Sequence, residues 1–135
     1  MNIVVDSESK IPEFERLRNK GPVIVWYYAD WCGHCHSMMD EWEDLVQKIK
    51  TKKNINLAKV QDVMLDKIKL KNQIKGFPTV RFINNGRDIS EFMDERNSDN
   101  LIKFTNDNIK KMKKRVKSKK KLSRGKKRKS IRKQN

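Results

Sequence analysis

The chain has 135 residues with 33 Lys+Arg, 17 Asp+Glu and a formal net charge of +16, a length that fits one compact domain. Two cysteines are too few for a disulfide scaffold, and no stretch approaches the length needed to cross a membrane. Met1-Asn2-Ile3-Val4-Val5-Asp6 lacks a basic segment followed by a long apolar one, so no signal peptide is expected.

In chain order, Ile3-Val4-Val5 reads as a short edge strand. Pro12, with Glu13 and Glu15 behind it, suits the first turn of a helix, where the missing N–H and the acidic side chains both fit. That helix ends by Gly21-Pro22. Residues 23–28, Val23-Ile24-Val25-Trp26-Tyr27-Tyr28, are continuously apolar, as in a strand buried on both faces. From Cys35, the residues Met38, Met39, Trp42, Leu45, Val46 and Ile49 recur at helical spacing to about Lys52, and the methionines are core rather than ligands.

Residues 55–60 read as a further strand, and Leu65, Ile68, Leu70 and Ile74 as a short helix. Gly76-Phe77-Pro78-Thr79 interrupts. Val80-Arg81-Phe82-Ile83 alternates as a strand does, Asn84-Asn85-Gly86 signals a hairpin turn, and Ile89-Ser90-Glu91-Phe92 returns. Ser98 is expected to cap a last helix through Leu101, Ile102, Phe104, Ile109, Met112 and Val116. The order β-α-β-α-β-α-β-β-α predicts an α/β fold, a central mixed sheet with helices on both faces.

The chemistry concentrates at Trp31-Cys32-Gly33-His34-Cys35. A C-x-x-C opening a helix brings two sulfurs within disulfide reach in one turn. It also sets the first sulfur at the positive end of the helix dipole, which favours a thiolate. Zinc is the competing use of Cys32, His34, Cys35 and His36, but four ligands within five residues cannot easily surround one ion. No metal and no cofactor is expected.

Tyr27-Tyr28-Ala29-Asp30-Trp31-Cys32-Gly33-His34-Cys35, followed by Ile74-Lys75-Gly76-Phe77-Pro78-Thr79, resembles the thioredoxin fold. The C-G-H-C form is similar to the catalytic domains of protein disulfide isomerases, over about residues 10–110. The resemblance implies a thiol–disulfide oxidoreductase acting on protein thiols and disulfides. Cys32 would be the exposed nucleophile and Cys35 the buried resolving thiol. Pro78 would be cis, with Trp31, Phe77 and Pro78 as an apolar docking rim and Gly76 opening that loop. Arg96, in Phe92-Met93-Asp94-Glu95-Arg96, matches an arginine that approaches the resolving cysteine, although Phe92 and Glu95 replace the family's tyrosine and glycine. His34, by stabilising the Cys32 thiolate, would make the disulfide more oxidising. Thioredoxin and protein disulfide isomerase differ by roughly 90 mV, about 4 kcal/mol, so His34 argues for an oxidant or isomerase. One departure stands out: the family's buried acid, six residues before the first cysteine, is here Trp26. Its usual lysine neighbour survives as Lys59 but without the matching carboxylate. Because Cys35 then lacks its general base, release of mixed disulfides is expected to be slow. His36 reads as a surface helix residue.

The last segment is a separate problem. Residues 110–135 hold 16 of the 33 basic residues and none of the 17 acids, so residues 1–109 carry 17 of each. This sets a thioredoxin-like domain at 1–109 and a basic tail at 110–135, helical at first and then disordered. Without an aromatic after Phe104 the tail lacks a stacking platform, so sequence-independent contact with nucleic acid or another polyanion is expected through Lys113, Lys114, Arg115, Lys126, Lys127, Arg128 and Lys129. The same clusters read as nuclear-import signals, and the abundance of Lys, Asn and Ile suits an A+T-rich genome such as a protist's or a large DNA virus's. A monomer in the cytoplasm or nucleus is expected, or in a virion if the source is viral. The alternative function is a basic nucleic-acid-binding or packaging protein with a thioredoxin-like scaffold.

Overall fold

The computed structural model describes residues 2–50 and 55–114. Five strands form one mixed sheet: β1 (Asn2–Val5), β2 (Pro22–Tyr28), β3 (Asn56–Gln61), β4 (Thr79–Asn84) and β5 (Arg87–Glu91). They lie in the order β1-β3-β2-β4-β5. β3 pairs in parallel with both β1 and β2, whereas β4 runs antiparallel to β2 and to β5. β2 is therefore central, and its buried run of residues 23–28 follows from cover on both faces.

One face carries Val23, Val25 and Tyr27 with Val5, Val60 and Ile83, and Phe14 of α1 (Ile11–Lys20) packs there at 0% exposure. Helix α1 starts at a proline in its first turn and stops at Gly21, as the sequence implies. On the other face Trp26 meets Trp42 of α2 (Gly33–Ile49) at 5.3 Å between ring centroids. α2 begins two residues before Cys35, because Cys32 caps it, and ends at Ile49 rather than near Lys52. A third helix, α3, runs over residues 98–114. Its cap is Asn97 and not Ser98: Asn97 Oδ1 accepts from the Asn100 N–H at 2.8 Å, while the Ser98 N–H donates to the Glu41 carboxylate. The chain divides into two compact units, Met1–Thr105 and Asn106–Asn135.

The helix expected through Leu65, Ile68, Leu70 and Ile74 does not form. A 3₁₀ turn spans Asp62–Lys67, and Ile68 is already extended at φ −117°, ψ 131°. Ile68 is buried and Leu70 and Ile74 pack against the same core, so their burial is met by an irregular segment lying on the sheet. Apolar spacing alone could not distinguish the two.

The β4–β5 turn uses left-handed backbone at both central residues, with φ 53° at Asn85 and 78° at Gly86, the type I′ geometry that suits a two-residue hairpin. A Cβ on Gly86 would lie 2.9 Å from Asn19 Oδ1. Gly86→Ala is expected to destabilise the fold by about 1–2 kcal/mol, measured by urea unfolding, with the reactivity of the cysteines unchanged.

Candidate active site

Between β2 and α2 the chain crosses Ala29-Asp30-Trp31 in a tightly held turn. The Cys32 N–H donates to the Ala29 carbonyl at 3.1 Å. Gln61 Nε2 of β3 donates to Asp30 Oδ2 at 2.7 Å, and His36 Nε2 of α2 donates to the Asp30 carbonyl at 2.6 Å. The turn is thus fixed from both neighbouring elements, and Cys32 arrives at the first turn of α2 with extended dihedrals, φ −90° and ψ 112°. Its sulfur accepts from the Cys35 N–H at 3.2 Å, the bond that a serine or aspartate oxygen makes at an ordinary N-cap. Gly33-His34-Cys35 form the first turn.

Both cysteines are free thiols. Cys32 is more covered than the exposed nucleophile of the sequence reading: it is 6% exposed, against 2% for Cys35, because capping turns its sulfur toward the helix end. Burial pushes the Cys35 thiol up to about 12, and the hydrogen bond and charge of Cys32 push the same way. The Ala29 backbone and the Arg96 charge oppose that rise. His34 is exposed on the first turn of α2.

Trp31, 74% exposed, donates its indole N–H to Asp62 Oδ2 at 3.0 Å and meets Phe77 edge-on at 5.7 Å. Neither Asp62 nor Gln61 stood out in the sequence, since each acts on a residue 31 positions away. The Phe77–Pro78 peptide bond is cis. Gly76 is exposed, and its carbonyl accepts from Thr79 Oγ1 at 2.7 Å. Pro78 also borders a groove of about 210 Å³ whose apolar walls include Met38, Val80 and Phe92 and whose polar rim includes Glu91 and Arg96. The structure therefore sets Arg96 on the same groove as Pro78. Lys113 and Lys114 are exposed on α3, while Arg115, Lys126, Lys127, Arg128 and Lys129 lie outside the described residues.

Trp26, at the position of the family's acid, is fully buried, and its indole N–H has no hydrogen-bond partner among the described residues. Lys59, its cross-strand neighbour on β3, sets its ammonium 5.0 Å from the Trp26 ring centroid and 4.7 Å from that of Tyr28. Two aromatic faces thus hold the cation where an acid would otherwise pair with it. Among the described residues, no group of three or more His, Cys, Asp or Glu could hold a metal ion, and no helix is long and apolar enough to cross a membrane.

A mixed sheet with helices on both faces and a dithiol capping the helix after its central strand defines a thioredoxin fold. The chain belongs to the thioredoxin family, whose model matches residues 7–107. It is 34% identical over 84 residues to a probable protein disulfide-isomerase ER-60 of Schistosoma mansoni, covering 61% of this chain and 17% of that protein. It is 32% identical over 114 residues to a protein disulfide-isomerase of Zea mays, covering 80% and 22%. The chain thus spans about a sixth to a fifth of the length of these relatives. Among solved structures, the zinc-bound form of human ERp44 matches with a TM-score of 0.63 at 25% identity, covering 76% of this chain and 30% of that one. The J-Trx1 fragment of ERdj5 matches with a TM-score of 0.65 at 18% identity, covering 81% and 52%.

A thiol that keeps its proton to about 12 is a poor nucleophile at neutral pH. Brief iodoacetamide treatment of the reduced protein at pH 7.5 is expected to alkylate Cys32 at least ~10-fold faster than Cys35, read by peptide mass spectrometry. Denaturant should remove the difference.

Proposed function

We propose that the chain is a thiol–disulfide oxidoreductase of the disulfide oxidase or isomerase type, working on protein disulfides through Cys32 and Cys35. The observation that carries this reading is the Cys32 sulfur capping α2, with Cys35 three residues on, buried and holding its proton. An N–H aimed at a sulfur stabilises negative charge there, as does the helix end. In the reducing direction, the Cys32 thiolate attacks one sulfur of a substrate disulfide. A Cys32–substrate disulfide forms and the other substrate sulfur leaves as a thiolate. Cys35 then gives up its proton and attacks the Cys32 sulfur, which closes the Cys32–Cys35 disulfide and releases the second substrate thiol. The substrate gains two electrons and the dithiol loses them; oxidation runs the same steps in reverse. Trp31 and Phe77 offer the docking rim, with Gly76 and Pro78 beside it, and His34 biases the couple toward the oxidant.

Equilibration in graded glutathione buffers tests the reading. A two-electron transition near about −180 mV is expected for the reduction potential. A value near about −270 mV would replace the oxidase assignment with a reductase. Absence of any paired titration would overturn the oxidoreductase reading and leave the scaffold alternative. Cys32→Ser and Cys35→Ser should each abolish turnover of a protein disulfide.

The slow step in this scheme is the second, because Cys35 must lose a tightly held proton with Trp26, not a carboxylate, at the acid position. Trp26→Glu is expected to raise turnover about tenfold or more, seen as faster decay of the mixed disulfide in rapid-quench kinetics. An unchanged decay rate would remove the proton-transfer argument.

The proposal extends to the basic tail, which would hold the enzyme near nucleic acid or another polyanion. Lys110, Lys111, Lys113 and Lys114, exposed on the last described turns of α3, support that reading. Removal of residues 110–135 should abolish binding to duplex DNA and leave exchange with a small disulfide unchanged. Affinity of the intact chain should fall about a thousandfold between 50 and 200 mM salt, the order expected for six or more phosphate contacts. A flat salt response would argue against the electrostatic mode.

A further inference from the structure

The irregular segment from Ile68 to Phe77 leads into the docking loop, yet it contains neither helix nor strand. Its backbone is instead tied down by two arginines on regular elements. Arg18 of α1 donates from Nη1 to the Lys69 carbonyl at 2.8 Å. Arg81 of β4 donates from Nη1 to the Asn72 carbonyl at 2.8 Å and from Nη2 to the Gln73 carbonyl at 3.0 Å. Arg81 is 8% exposed, rare for an arginine unless its charge is matched. The match comes from β5: Nε donates to Glu91 Oε1 at 2.9 Å, and Asp88 Oδ2 lies 3.7 Å from Nη1. Asp88 also accepts from Asn72 Nδ2 at 2.7 Å. One guanidinium thus joins β4, β5 and two successive carbonyls of the segment.

We infer that Arg81 is a positioning residue for peptide docking: it fixes Asn72-Gln73 and so sets where Phe77 stands against Trp31. The inference rests on the oxidoreductase reading for its consequence, but the contacts are independent of it. Only three residues separate Gln73 from Phe77, and no helix or ladder bond intervenes. Ile74 and Phe77 pack against the core, and the placement of Asn72-Gln73 sets how the short stretch between enters that contact. A displacement at Gln73 therefore shifts Phe77, whose ring meets Trp31 edge-on. An arginine suits the task because its planar fork serves several acceptors in fixed directions, which an ammonium on a flexible stem cannot do. Since Arg81 acts through the loop, exchange with a disulfide too small to use the docking rim should not depend on it.

Arg81→Met and Arg81→Lys test this against a short peptide closed by one disulfide and against 2-hydroxyethyl disulfide. For Arg81→Met the KM for the peptide is expected to rise about tenfold, the order a small misplacement of docking groups produces, with kcat within twofold. The rate with the small disulfide and the reduction potential should stay at the parent values. Arg81→Lys, which retains the charge, should fall between the two. In indole ¹H–¹⁵N spectra the Trp31 resonance should move in both variants while those of Trp26 and Trp42 stay. If Arg81→Met fails to fold, Arg81→Lys decides the matter alone. An unchanged peptide KM, equal losses on both substrates or an unmoved Trp31 resonance would overturn the inference. A parent protein that exchanges with neither substrate would instead strike the oxidoreductase reading, and the Trp31 resonance would still decide whether Arg81 sets the loop.

Discussion

A sulfur atom caps a helix here, and the rest of the structure serves to deliver it. Cys32 reaches the N-terminus of α2 because β2 ends at Tyr28 in the middle of the sheet and the three-residue turn that follows has few ways to go. Gln61 holds Asp30 from one side and His36 from the other, so the chain direction at Cys32 is set before the helix begins. With the cap made by sulfur instead of oxygen, one contact both ends the loop and fixes the first thiol of the pair. Under the proposed function, helix capping and redox chemistry meet in the same 3.2 Å bond.

The sheet divides the labour around that bond. The α2 face carries the aromatic stack of Trp42, Trp26 and Tyr28, closed by the Lys59 ammonium. The opposite face carries a largely aliphatic core, with Phe14 and Tyr27 in it, and a polar margin where Arg81, Asp88 and Asn72 secure a segment that has no regular structure of its own. The dithiol thus draws on a helix from one side, and the cis-proline loop draws on a guanidinium from the other.

Much of this was legible in the residues. A continuous apolar run marks a strand covered on both faces, Asn85-Gly86 marks a type I′ turn, and two cysteines with W-C-G-H-C spacing mark the site. What stayed hidden depended on contacts between distant segments. Leu65, Ile68, Leu70 and Ile74 satisfy a helical template, yet after the 3₁₀ turn the segment is irregular and two arginines hold its carbonyls, contacts no periodicity encodes. Arg81, between Val80 and Phe82, looks like the polar position of an alternating strand and is nearly buried. Asn97 outcompetes Ser98 as a cap by one position, within the ordinary blur of helix ends. The near-burial of Cys32 follows from the direction of its sulfur, which sequence does not specify.

The pairing of β4 with β5 slips between Phe82 and Ile83, so that Phe82 faces Ser90 while Ile83 faces Asp88, and Ile89 is left over. That bulge lies in one of the sheet's two outermost strands. The outer strand is five residues long, twisted by the bulge and studded with Arg87, Asp88 and Glu91; its counterpart at the far edge, β1, has only four residues. Open sheet edges invite the strands of other chains, and short, charged, irregular ones discourage them. Under the proposed function, an oxidoreductase acting on protein disulfides meets that hazard in its substrates. The slipped register at Ile89 makes this edge a poor template for strand addition, which would spare such an enzyme from aggregating with the chains it acts on.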